Sequence, residues 1–218
     1  MKKKNHFYMK YIAFMSVVLL LVGGYFSVRA ILLERRVDVV GVDQNNLYYS
    51  LRKNGTEYQK TVYTQLSDAF DQEPINNEAI SGLVVQNFVA DFYTWTNKLR
   101  FNDVGGLQFL HNDVEGWVNA QALETFYNDM NYYLQNGGLE DTLEVSRVDV
   151  SVVKSEFELD GDGDESTNVP SYVVNAIWSY VPSSKINVEE FQTSAVFTLI
   201  ADNEGLFTIV EVSDVEEE

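Results

Sequence analysis

The chain contains no cysteine, three prolines and two histidines in 218 residues. Without cysteine there is no disulfide, no thiolate nucleophile and no lipidated cysteine anchor. One imidazole, His6, lies close to the N-terminus, so His111 is the single imidazole of the remaining sequence. No G-x-S-x-G occurs, and a Ser–His–acid arrangement is not signalled. Positive charge is also scarce beyond residue 36. Arg52, Lys53, Lys60, Lys98, Arg100, Arg147, Lys154 and Lys185 stand scattered against 32 acids, a formal −24. Phosphate backbones are held by clustered Lys and Arg, so direct nucleic-acid contact by this part is excluded. No glycine-rich phosphate loop is present, and Gly105-Gly106 alone reads as a linker or helix break.

What is present first is a charge partition. The first 36 residues carry seven basic side chains and one acid, a formal +6. Residues 11–28 within them have no charge over 18 positions. As a helix that stretch spans about 27 Å, close to the roughly 30 Å of a bilayer core. The amphipathic tail 30–33 extends it. A signal peptide cut after Ala30 is the rival reading. The stretch is longer than the usual h-region of about 7–15 residues, which favours an uncleaved anchor. The chain therefore divides into a cytoplasmic tail (1–10), a transmembrane helix (11–33) in contact with membrane lipid, a juxtamembrane connector (34–76) and a domain (77–218). Four lysines before the span against three arginines after it give a weak positive-inside bias. A short tail inside with a long domain outside is the common arrangement for an N-terminal anchor, so the N-terminus is expected inside and the domain outside a bacterial cytoplasmic membrane.

Within the connector, Val37, Val39 and Val40 begin an extended piece that Leu47-Tyr48-Tyr49 continues. Asn54-Gly55 signals a turn. Tyr58, Val62, Leu66 and Phe70 recur at helical spacing, and Pro74, Asn76 and Asn77 close the segment. The domain opens with a helix expected over 78–99, its stripe being Ile80, Val84, Phe88, Phe92, Trp95 and Leu99. Asn76 or Asn77 can cap it. A second helix is expected over 113–135. After Gly138 the period becomes alternating. Val148, Val150 and Val152 share one face, while Val153, Phe157 and Leu159 continue in the other register, as a β-bulge at 152–153 would produce. A strand from Tyr172 to Tyr180, a third with Phe191, Ala195, Phe197 and Leu199, and a fourth over 206–212 follow. Helices first and strands later predict an α+β domain, its helices packed on a curved four-stranded antiparallel sheet.

This order resembles the cone-shaped fold of nuclear transport factor 2 relatives. With the preceding anchor it is similar to the bitopic scaffold subunit of type IV secretion and conjugation systems. The residues that carry the resemblance are the connector 37–42, the run Asn87-Phe88-Val89-Ala90-Asp91-Phe92-Tyr93 and the terminal hairpin from Trp178 to Glu211. Gram-negative members carry Asn-Pro-x-Gly before the last strand, where this chain has Asp202-Asn203-Glu204-Gly205. The departure points to a divergent Gram-positive member. The resemblance implies a non-catalytic assembly factor that self-associates and binds other channel subunits without a cofactor.

The chemistry that could compete with that reading is limited. Asp91, Tyr93, Tyr127 and Tyr180 could face a cavity, where a buried carboxylate with a raised pKa would serve as a general base. A surface-tethered small-molecule binder or enzyme of this kind is the alternative function, with a deep pocket lined by Tyr and Trp. An accessory regulator is a third reading. His111, beside Asn112-Asp113, suits a helix start. Asp160, Asp162 and Asp164 resemble the beginning of a calcium loop, but positions six and twelve hold Glu165 and Ser171 instead of Gly and Glu. An acidic hairpin loop is the simpler reading. No ligand spacing suggests zinc.

Overall fold

The computed structural model describes residues 42–43, 49–137, 142–160, 166–202 and 205–215. The apolar stretch 11–28, and with it the anchor and tail, lies outside the described residues. Among those described, no helix is long and apolar enough to cross a membrane. Residues Val42–Glu218 form one compact unit.

That unit is α+β. Two short strands, β1 (Val42–Asp43) and β2 (Leu51–Arg52), pair antiparallel. Four helices follow: α1 (Glu57–Phe70), α2 (Asn77–Phe92), α3 (Asn112–Glu124) and α4 (Phe126–Gly137). The strands β3 (Val145–Asp160), β4 (Ser166–Tyr180), β5 (Ser194–Ala201) and β6 (Phe207–Ser213) form an antiparallel meander in sequential order. Helix α2 lies against β3, β4 and β6, and α1 packs on α2. The inner sheet face is apolar at alternate positions, with Val174, Ala176 and Trp178 of β4 and Ala195, Phe197 and Leu199 of β5 all buried. On the other face Ile177 and Val153 are exposed.

The segment read as a connector is part of this core from Tyr49 onward. Tyr49 stacks on Phe109 at 4.9 Å. Its hydroxyl donates to the Phe207 carbonyl at 2.6 Å, and its own carbonyl accepts from Tyr63 at 2.9 Å. Val62, Tyr63 and Leu66 of α1 are buried as well. The helical spacing in 58–70 was therefore a core-facing stripe, and the domain begins earlier than residue 77. A capping box starts α1: Thr56 Oγ1 accepts from Gln59 N, and Gln59 Oε1 accepts from Thr56 N. Thr56→Ala leaves the Gln59 amide short of its partner. We expect a loss of about 1 kcal/mol in urea unfolding, with the slope unchanged.

Helix α2 ends at Phe92, seven residues before the expected 99, because tertiary bonds capture the backbone beyond it. The Trp95 and Thr96 amides donate to the Leu143 carbonyl, and Thr94 Oγ1 accepts from Val145 N. Trp95 stays in the core, whereas Leu99 is exposed. Asn76, one of the two expected caps, accepts from Ala79 N. The helix expected over 113–135 is broken at Thr125, whose φ of −118° and ψ of −100° are not helical. Because α4 starts afresh at Phe126, its core-facing side is set independently of α3, and the half-buried Phe126 and the buried Tyr127 both contact Phe92.

No bulge occurs at 152–153. β3 and β4 stay in register there, and the one irregularity lies between Val145 and Arg147. Phe157 and Leu159 sit on the face opposite Val152 because the ribbon simply continues, each residue reversing the last. Phe191 precedes β5, in the loop after a 3-10 turn at Val188–Glu190, and packs edge-on to Trp95 at 5.2 Å. The free edge of β6 is partly occupied by Leu110, which bridges to Ile209 in parallel.

Candidate functional site

Two features converge on the C-terminal half of α2. One is a buried ionic cluster and the other is an open pocket.

The cluster is built around Asp91. Lys98 folds back from the turn after α2, and its side chain is fully buried. Its Nζ donates to the Asp91 carbonyl at 2.8 Å, to Asp91 Oδ1 at 2.6 Å and to Asn97 Oδ1 at 3.1 Å. All three ammonium protons are thus used, which is what makes burying the charge tolerable. Arg52 of β2 approaches Asp91 Oδ1 at 3.4 Å and forms two bonds of 2.8 Å to Asp103. The second Asp91 oxygen accepts from Gly106 N at 2.7 Å. The network extends through Asn97 to Gln59, and from Gln59 to the Ala90 carbonyl.

The glycine pair read as a linker is required by this packing. A Cβ on Gly105 would collide with the Asp91 carbonyl and stand 2.5 Å from Lys98 Nζ. Gly106 has φ of 76°, in the left-handed region that glycine enters without strain. Tyr127 closes the cluster from α4: its hydroxyl accepts from Gly105 N at 2.8 Å and donates to the Phe92 carbonyl at 2.9 Å.

Electrostatics here run opposite to what a general base needs. Burial pushes the Asp91 carboxyl upward, but the Lys98 ammonium and the Arg52 guanidinium outweigh it, and Gly106 N adds to them. The carboxyl is held below its ordinary range. For Lys98, burial draws the ammonium below the usual lysine value, while Asp91 opposes that loss. Among the described residues, the space beside the aspartate is a void of about 20 Å³, too small for an organic substrate. The raised-pKa expectation for Asp91 is therefore reversed, and its carboxylate is committed to a salt-bridged tie.

Tyr93, Tyr127 and Tyr180 do not share one cavity. Tyr127 belongs to the cluster. Tyr180 accepts from Trp178 Nε1 at 3.0 Å and donates to the Gln192 carbonyl at 2.8 Å. Tyr93 donates to Gln192 Oε1 at 2.9 Å and lines the pocket. Burial is the chief cause that pushes all three phenols well above the ordinary tyrosine value, so they act as neutral donors. His111 stands at the start of α3, where Nδ1 accepts from Asp113 N at 3.4 Å, as its sequence position suggested. Asp160 ends β3 opposite Ser166, whereas Asp162 and Asp164 lie outside the described residues. Among the described residues no cluster of acids and histidines could hold a metal ion.

The pocket has a volume of about 590 Å³. Phe88, Phe92 and Tyr93 of the α2 end, with Phe126 of α4 and Phe191 of the loop before β5, form its aromatic wall. Trp117 of α3 stands at the mouth, 66 % exposed. Asp129, Glu190 and Asp214 are the charged members of the lining, which contains no Lys, Arg or His. The sequence pattern did not reveal this site. Phe191 and Trp117 come from a loop and from the outer side of a helix, and α3 shows no strong apolar stripe to mark them. Compared with known protein families, with curated proteins and with solved structures, the chain matches none.

Proposed function

We propose that this chain is a non-catalytic, membrane-anchored scaffold of a conjugative type IV secretion channel. Residues 11–33 hold it in the cytoplasmic membrane, and the cone-like domain lies outside, where it packs against itself and other channel subunits. The observation that carries the non-catalytic part is the fate of Asp91. The carboxylate best placed by sequence for proton transfer is neutralised by Lys98 and Arg52 and has no room for a substrate beside it. Helices gathered on one face of an antiparallel meander agree with the architecture that the family resemblance implies. The formal −24 after residue 36 supports protein contacts over contact with the transferred DNA.

Crosslinking of the full chain in donor-cell membranes tests this. Capture of the chain's own copies and of other channel subunits is expected, and deleting the gene should reduce DNA transfer to background. A chain that crosslinks to neither, together with normal transfer after deletion, would refute the proposal. The 590 Å³ pocket favours a second reading, a tethered binder of small molecules.

A further inference from the structure

We infer that the pocket between α2, α3 and the loop before β5 binds a small organic cation with an apolar body, such as a quaternary or protonated amine. The size, the walls and the charge of the pocket each narrow the occupant. Its 590 Å³ falls in the usual range of small-molecule sites, about 300–1,000 Å³. The walls are aromatic rings. Phe126 and Phe191 meet edge to face at 6.1 Å, Phe126 and Tyr93 at 5.4 Å, and Trp117 adds an exposed indole at the mouth. Aromatic faces attract cations through the ring quadrupole, tryptophan most strongly.

Every ionisable carboxylate in the lining remains available for such a charge. Asp129, Glu190 and Asp214 enter no ion pair among the described residues. Glu190 accepts from Asn187 Nδ2 at 2.9 Å, and Asp214 accepts from Gln192 Nε2 at 3.2 Å. Those amide bonds orient the carboxylates without neutralising them. Gln192 Oε1 in turn accepts from Tyr93, so the wall and one rim carboxylate are held by the same side chain. An anion would meet three negative charges and no positive one. A neutral apolar molecule would leave those charges unused. An apolar cation fits both the walls and the rim.

The inference does not depend on the channel reading, because it is read on the purified full chain with no partner present. Of the three tryptophans Trp117 is the one that lines the pocket, so its emission reports most directly on an occupant. Titration with benzyltrimethylammonium should change that emission saturably, and Trp117→Phe should erase the signal. Equilibrium dialysis provides a readout that does not require Trp117. There, Asp129→Asn combined with Asp214→Asn should weaken binding about tenfold, the loss expected for two partly solvated charges. Both sites are exposed, so the far-ultraviolet spectrum of that variant should be unchanged. Neopentylbenzene has the same shape without the charge and should compete poorly. Equal binding of neopentylbenzene, affinity insensitive to both aspartates, or no saturable retention of the cation in dialysis would each overturn the inference.

Discussion

Asp91→Ala is expected to destabilise the domain by about 3–5 kcal/mol, the usual cost of removing one partner from a buried ion pair. The substitution leaves the Lys98 ammonium buried with two acceptors in place of three, strips Gly106 N of its partner and frees Arg52 to face Asp103 alone. Native domains are stable by about 5–15 kcal/mol, so this is a large share of the total. For a domain of this size each kcal/mol moves the Tm by about 2–4 °C, and a fall near 10 °C is expected. A double-mutant cycle with Lys98→Met tests the mechanism. Because the two side chains share one bond, the double variant should be less destabilised than the sum of the singles, by about 0.5–3 kcal/mol. Additive losses would show that Asp91 and Lys98 stabilise the fold independently.

The same pair sets an acid dependence. The folded-state pKa of Asp91 lies below its unfolded value of about 3.9, so the unfolded chain takes up the proton first as the pH falls. The contribution of Asp91 is complete above that unfolded value. It is lost progressively as the pH drops below it and through the lower folded value. The gap in stability between the native chain and Asp91→Asn should accordingly be constant near neutrality and shrink below about pH 4. A gap independent of pH down to the acid transition would contradict the assignment.

Phe88→Ala is the second large effect, at about 3–5 kcal/mol. Phe88 is the ring through which α2 meets both the sheet and the turn that follows it. It stacks on Phe92 at 5.1 Å and stands edge-on to Phe197 of β5 at 5.6 Å. Gly106 runs so close that a Cβ there would come 2.9 Å from the ring. Neighbours on three sides belong to different elements, so they cannot all relax into the space. A cavity therefore remains, and its loss of dispersion contacts adds to the lost transfer energy. Because Phe88 also lines the pocket, the variant should widen that pocket as it loses stability. Urea unfolding measures the first effect. A loss below about 1 kcal/mol, the level of an ordinary surface change, would show that the ring is not central to the packing.

Local pattern was a good guide wherever one element's neighbours in sequence are also its neighbours in space. The stripe Ile80, Val84, Phe88 and Phe92 is a helix face, and the alternation from Tyr172 to Tyr180 is a strand with its even positions turned inward. It failed where partners come from far along the chain. The stripe continued through Trp95 to Leu99, yet the helix stops at Phe92 because the Leu143 carbonyl captures the Trp95 and Thr96 amides and the Val145 amide donates to the Thr94 hydroxyl. Apolar positions ran on past Thr125, yet the backbone leaves the helical region there and α4 starts afresh at Phe126. The change of phase at Val152 and Val153 suggests a bulge, but an unbroken strand shows apolar groups on both faces equally well.

The sequence by itself determined the class of the fold, the order of helices before strands and the charge partition at residue 36, because each depends on periodicity or composition alone. Tertiary structure decided what the polar residues do. A lone aspartate on a helix reads as a possible base, and only Lys98, Arg52 and Gly106, brought from three other places, turn it into a structural tie. A glycine pair reads as a linker until Asp91 and Phe88 are seen pressed against it. The pocket likewise exists only after α3, α4 and the loop before β5 have closed on α2. Charge and packing act through distance in space, which a periodic pattern along the chain does not encode.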